Sequence, residues 1–125
     1  MRSTEEERRE RNWRLRNEYA RRLGEIRRSL SAAQIPLLYA LYPSHHSLSG
    51  SGAREQIRWV EQMARSLGIE TVSFLDRLKA SAEPMDVLYL LPDDGHPSPL
   101  GYELAGAELL RRFDWSAYSH ETCVP

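Results

Sequence analysis

Three residues in the stretch PDDGHPSPLGYELAGAELL, positions 92–110, are of types that together move protons: Asp93, Asp94 and His96. A carboxylate that accepts the proton on one imidazole nitrogen fixes the tautomer and the direction of the ring. The other nitrogen is then free to take a proton from a nucleophile. Asp93 lies three positions before His96, a separation that a tight turn closes, and Pro97 and Pro99 stiffen the chain that follows. The same residues also suit a solvated turn, because Asp-Asp-Gly is ordinary turn chemistry. The elements on either side must decide between the two.

On the far side of the turn, Ser98 is a suitable helix N-cap and Pro99 a suitable first helical residue. Leu100, Leu104, Ala107, Leu110 and Phe113 predict the buried side of that helix. On the near side, VLYLL at 87–91 is an apolar stretch that fits either a helix or a strand. Upstream of it, the apolar run at 35–43 and the β-branched, aromatic run at 69–75 predict two strands. Between them a small-residue loop, SHHSLSGSG, leads into helical spacing over 53–67, through Ile57, Val60, Met63, Ala64 and Leu67. Gly68 stands where a left-handed C-terminal cap belongs. A short helix over 76–82 is stopped by Pro84.

The chain opens with Ser3 or Thr4 before three glutamates, a helix start with acid at the positive end of the macrodipole. Leu15, Tyr19, Leu23, Ile26 and Leu30 then form one apolar stripe on a helix ending near residue 32. Residues 1–14 lack the stripe and are expected to fray or project as a charged helical extension, and 114–125 to form an irregular tail. Helix and strand in alternation predict an α/β domain with a parallel sheet, whose functional groups gather beyond the carboxyl ends of the strands. Two apolar strands leave the sheet edges open. Another chain, or the rest of a larger domain, is expected to complete the sheet.

DDGHPSPLGYELAGAELL resembles the last block of the SGNH, or GDSL-type, hydrolases, in which an Asp-x-x-His turn opens the final helix. Asp93-Asp94-Gly95-His96 matches in register, with Gly101 and Ala105 where that block has them. IPLLYALYPS, the helix after it and GIETVSFLDRL follow the family's late strand, helix, strand order, so the resemblance spans roughly residues 15–113. It implies a partial flavodoxin-like, three-layer αβα fold. It also implies His96 as general base, Asp93 as its orienting acid and Asp94 as a supporting or substrate-facing group. The reaction implied is ester hydrolysis or acyl transfer through an acyl-enzyme, without a cofactor, on an ester or O-acylated small molecule, lipid or carbohydrate.

The family's nucleophile lies in a Gly-Asp-Ser turn after its first strand, and its oxyanion donors are a Gly and an Asn in later loops. No Gly-Asp-Ser occurs in this chain. Ser49 and Ser51 follow the wrong strand, and Asn12 and Asn17 fall within the first helix. The expectation is therefore the C-terminal portion of such an enzyme, inactive alone, with the base and its acid but without the serine.

Other classes find less support. The 125 residues suit a single domain, and a net charge of −1 from 17 basic and 18 acidic side chains gives no general attraction to nucleic acid or an anionic membrane. Arginines crowd the first 28 residues, but glutamates are interleaved with them, as on a solvated helix face. His45 and His46 follow the first strand on the edge where His96 is expected, as substrate contacts or as part of a flexible loop. With Asp93 and His96 they have the ligand types for a metal but no recognised spacing, and no metal is expected. Cys123 has no second cysteine to pair with, and Trp13, Trp59 and Trp115 are expected as core or interface anchors. The opening residues lack the apolar segment of a secretory signal, which points to the cytoplasm. The competing reading is a non-catalytic interaction or oligomerisation module built on the Arg/Glu-rich first helix, with a homo-oligomer formed through exposed strands.

Overall fold

The fold, given by a computed structural model, is described for residues 4–114 and 116. Its elements are α1 (Glu5–Ala32), β1 (Leu38–Leu41), α2 (His45–Ser49), α3 (Ser51–Ser66), β2 (Glu70–Ser73), α4 (Leu75–Ala80), α5 (Met85–Leu88) and α6 (Pro99–Arg112). The architecture is mixed α/β and mostly helical, with β1 and β2 forming a two-stranded parallel sheet. VLYLL does not add a strand. Its first two residues close α5, and Tyr89 makes an isolated antiparallel bridge to Pro97. No described helix is long and apolar enough to cross a membrane. Trp115, Cys123 and the expected irregular tail, apart from Asp114 and Ser116, lie outside the described residues.

The described residues divide into two compact units, one within 4–39 and 62–71, the other within 40–61 and from 72 onward. In the first unit, α1 starts well ahead of its apolar stripe because its first turn is capped. Thr4 Oγ1 accepts the Glu7 N–H at 3.2 Å, and the Glu7 carboxylate accepts the Thr4 N–H at 2.8 Å. Residues 5–14, expected to fray or project, are therefore continuous helix. Exposed Arg–Glu pairs such as Arg8–Glu5 at 2.6 Å and Arg21–Glu25 at 2.7 Å line its surface, where solvent screens them.

The stripe on α1 is mostly uncovered. Leu23 and Gly24 are buried, Gly24 alongside Leu67, whereas Leu15 is 62% exposed and Ile26 50% exposed. Trp13, expected as a core or interface anchor, is exposed rather than in the core, while Trp59 is half-buried in α3. Gly68 closes α3 at φ +73°, in the left-handed region that glycine enters without a Cβ penalty. The Arg27 guanidinium lies against it.

In the second unit, Leu75, Leu78, Leu88 and Tyr89 are almost fully buried where α4 and α5 pack on α6. The buried face of α6 is Gly101, Ala105 and Glu108, and Ala107 and Leu110, expected inside, are exposed. The reason is a close approach. A Cβ on Gly101 would lie 2.5 Å from Tyr42 Oη and 2.6 Å from the Leu88 carbonyl oxygen, so α6 turns this glycine toward its neighbours, whereas its second glycine, Gly106, meets nothing. That rotation carries the larger apolar residues around to the flank.

Glu108 enters the buried face with its charge met by Arg111 at 2.9 Å and Arg112 at 2.6 Å. The Arg111 hydrogen bond, then that of Arg112, holds the Glu108 carboxyl below its ordinary 4.5. A carboxyl depressed in the folded state stabilises the fold above pH 4.5 and loses that contribution as pH falls through the lower folded value. Glu108→Gln is therefore expected to flatten the acid limb of a Tm-against-pH curve below pH 4.5 relative to wild type. Parallel curves for the two proteins in that range would contradict the assignment.

Candidate functional site

The turn that carries His96 is a closed loop, and backbone hydrogen bonds hold both of its ends. The Leu90 N–H donates to the His96 carbonyl at 2.9 Å, the Asp94 N–H to the Leu90 carbonyl at 2.8 Å, and the Ser98 N–H to the Leu88 carbonyl at 2.8 Å. The Leu91–Pro92 peptide bond in this loop is cis. Ser98 then ties the loop to α6. Its hydroxyl donates to the Val87 carbonyl at 2.5 Å and accepts the Gly101 N–H at 3.2 Å. Ser98→Ala removes both bonds from a buried site and is expected to cost about 1–2 kcal/mol, read as a lowered urea midpoint.

The carboxylate that meets the imidazole belongs to Asp94. Asp94 Oδ1 accepts the His96 backbone N–H at 2.9 Å and is also hydrogen-bonded to His96 Nδ1. Asp93, given the orienting role by the resemblance, is exposed, and it is not the partner of the ring. The physical reason is an Asx turn. An Asp side chain reaches the N–H two residues on, and that bond holds its oxygen beside the ring of the same residue. The backbone bond from His96, then the one from its ring, hold the Asp94 carboxyl below the usual carboxylate range, so it stays ionised. With Nδ1 donating to Asp94, Nε2 carries the free lone pair.

The His96 side chain is 77% exposed and lines an open cleft of about 340 Å³, together with Tyr42, Pro43, Ser44, Gly95, Pro97 and Tyr102. Tyr42 is the hub of the aromatic wall, with ring centroids 5.9 Å from Tyr102, 5.9 Å from Phe74 and 6.1 Å from Tyr89. The buried Tyr89 hydroxyl donates to the Pro43 carbonyl at 2.6 Å, while the Tyr42 hydroxyl is buried without a partner among the described residues. Burial raises both phenols above their ordinary range, so they stay neutral.

His45 and His46 are helical rather than part of a loop, since SHHSLSGSG folds into α2 and the start of α3. His45 packs alongside Gly95 and edge-on to Tyr89 at 5.8 Å, which brings it against the His96 turn. His46 stacks on His45 at 3.9 Å and is exposed. Ser49 is exposed, with its hydroxyl donating to the His45 carbonyl at 3.2 Å, and the side chain of Ser51 lies outside what is described. Among the described residues, no group of three or more His, Cys, Asp or Glu side chains is arranged to hold a metal.

Tyr42, Ser44 and Tyr102 were not singled out in the sequence. The signal for them was an aromatic residue closing the first apolar run, the serine next to His45, and a tyrosine directly after the helix-opening glycine. Compared with protein-family models, curated proteins and solved structures, the chain has no match.

Proposed function

We propose that the 92–110 turn and helix supply the general base of an acyl-transfer site. The chain then acts as the C-terminal portion of an SGNH-like esterase or O-acyl hydrolase/transferase of flavodoxin-like, three-layer αβα design. A serine and oxyanion donors come from outside the described residues. The observation that carries this reading is the hydrogen bond of Asp94 Oδ1 to His96 Nδ1, at the rim of an open cleft.

In the proposed reaction, Nε2 of His96 takes the serine hydroxyl proton as the serine oxygen bonds to the ester carbonyl carbon. The tetrahedral adduct then collapses, the carbon–oxygen ester bond breaks, and His96 returns the proton to the leaving alcohol. Water, deprotonated by the same nitrogen, then bonds to the acyl carbon, the bond from that carbon to the serine oxygen breaks, and the serine oxygen takes back the proton as the acid leaves. Asp94, ionised beside Nδ1, stabilises the imidazolium formed in each half.

The isolated chain offers a direct test, because an oriented neutral imidazole attacks activated esters without a serine. Nε2 displaces p-nitrophenolate, and water hydrolyses the acyl-imidazole. Hydrolysis of p-nitrophenyl acetate by the chain should depend on His96. Equal rates for wild type and His96→Ala would remove the hydrolase reading.

The uncovered residues of α1, among them Trp13, Leu15 and Ile26, favour a second reading, a module whose first helix pairs with another copy of the chain. A concentration-dependent dimer in sedimentation, lost in Leu15→Glu, would support it; a monomer at all concentrations would end it.

A further inference from the structure

Among the described residues, no Asp, Glu, Lys or Arg stands on the wall of the cleft beside His96. Its lining is Tyr42, Tyr102, Gly95 and Pro97 with Ser44 as a small polar group, and the almost fully buried Tyr89 and Pro43 stand behind them. Two of the three phenol hydroxyls are withdrawn from it, Tyr89 to the Pro43 carbonyl and Tyr42 into the buried approach to Gly101. A sugar ring laid there would leave most of its hydroxyls without partners, and burying unmet polar groups is unfavourable. An anionic group would meet no cation such as Arg or Lys. At about 340 Å³, the space lies at the small end of ligand sites, and it is open along one side.

We propose that this cleft is the acyl pocket of the site and takes the uncharged acyl chain of a neutral ester, with the Tyr102 ring as its outer wall. The proposal rests on the reading of His96 as the group that acts at the ester carbonyl. Tyr102 is suited to the role. It sits in the first turn of α6, directly after the glycine that pins the helix, and it is 58% exposed with its ring 5.9 Å from that of Tyr42. An acyl chain lying between His96 and these rings would cover apolar surface that is now open to water.

The test uses the intact chain and a series of p-nitrophenyl esters, acetate, butyrate and hexanoate, which share one leaving group and differ only in the acyl part. The mono-p-nitrophenyl ester of glutaric acid adds a terminal carboxylate at similar length. The added methylenes, partly covered in an open cleft, are expected to raise kcat/KM by about tenfold from acetate to hexanoate. The glutarate ester should fall back to the acetate level. Tyr102→Ala, at an exposed position, should bring the hexanoate-to-acetate ratio close to one. Leu110→Ala, another exposed apolar residue on α6 but outside the cleft, should leave the ratio unchanged. Equal rates for acetate and hexanoate, a ratio indifferent to Tyr102→Ala, or one that falls equally with Leu110→Ala would overturn the acyl pocket. If esterolysis still depended on His96 in those cases, the hydrolase reading would stand without it. Loss of the His96 dependence would remove both.

Discussion

Gly101→Ala is expected to destabilise the protein by about 3 kcal/mol or more, a larger cost than any other single methyl group added to α6. The new Cβ would stand 2.5 Å from Tyr42 Oη and 2.6 Å from the Leu88 carbonyl oxygen, distances at which something must move. Leu88 is backbone in the last turn of α5 and its carbonyl already accepts the Ser98 N–H, so the structure cannot yield there without loosening the cap of α6. Tyr42 can yield only by shifting a ring that three aromatic neighbours hold.

A paired variant separates these contributions. Tyr42→Phe deletes a buried hydroxyl that has no hydrogen-bond partner among the described residues, so alone it should be neutral or stabilising by about 1 kcal/mol. Combined with Gly101→Ala it should recover part of the loss and leave the part due to Leu88, giving a non-additive cycle in urea denaturation. Strict additivity of the two substitutions would show that Tyr42 and Gly101 do not meet.

The second large effect concerns the acid and base. In the isolated chain, His96→Ala should lower p-nitrophenyl acetate hydrolysis on the order of tenfold or more. Where a serine is supplied, it should lower ester turnover by roughly 10²–10⁴. The two aspartates are expected to differ. Asp94→Asn keeps an oxygen for the Asx turn but loses the charge that stabilises an imidazolium, so the rate should fall well below wild type. Asp93→Asn, at an exposed carboxylate that is not the ring's partner, should change it little. The opposite order, with Asp93→Asn the more damaging, would mean that the resemblance assigns the acid correctly and that the working loop differs from the one described. The comparison is informative because both substitutions remove one charge from the same turn, so net charge alone cannot account for a difference.

The difference between these carboxylates shows how far local chemistry was legible. Spacing alone offered both Asp93 and Asp94 to the imidazole, and the resemblance to a known turn favoured Asp93. The preference of Asp for the N–H two residues on was equally available in the sequence and points to Asp94. The helix that follows was legible at its start, since Ser98 and Pro99 do what such residues do at an N-terminus. Its buried face was not. The periodicity of Leu104, Ala107 and Leu110 described an apolar side, but the helix turned on Gly101, and which way a glycine faces depends on what approaches it. Likewise SHHSLSGSG looked like a loop because its residues are small and polar, yet it folds into α2 and leads into α3. Packing of α2 against α4 outweighs so weak a local preference.

By itself the sequence determined the elements whose signals lie within a few residues. These are the Thr4–Glu7 start of α1, the left-handed close at Gly68, the strand cores at 38–41 and 70–73, and a rigid, histidine-bearing turn before the last helix. Tertiary structure alone decided that Tyr42, 54 positions before His96, shares a cleft with it, that His45 lies against Gly95, and that most of the α1 stripe stays uncovered. Caps and turns are settled by hydrogen bonds between near neighbours in the chain. A cleft wall is settled by which distant surfaces can approach without a clash, and no local pattern records that.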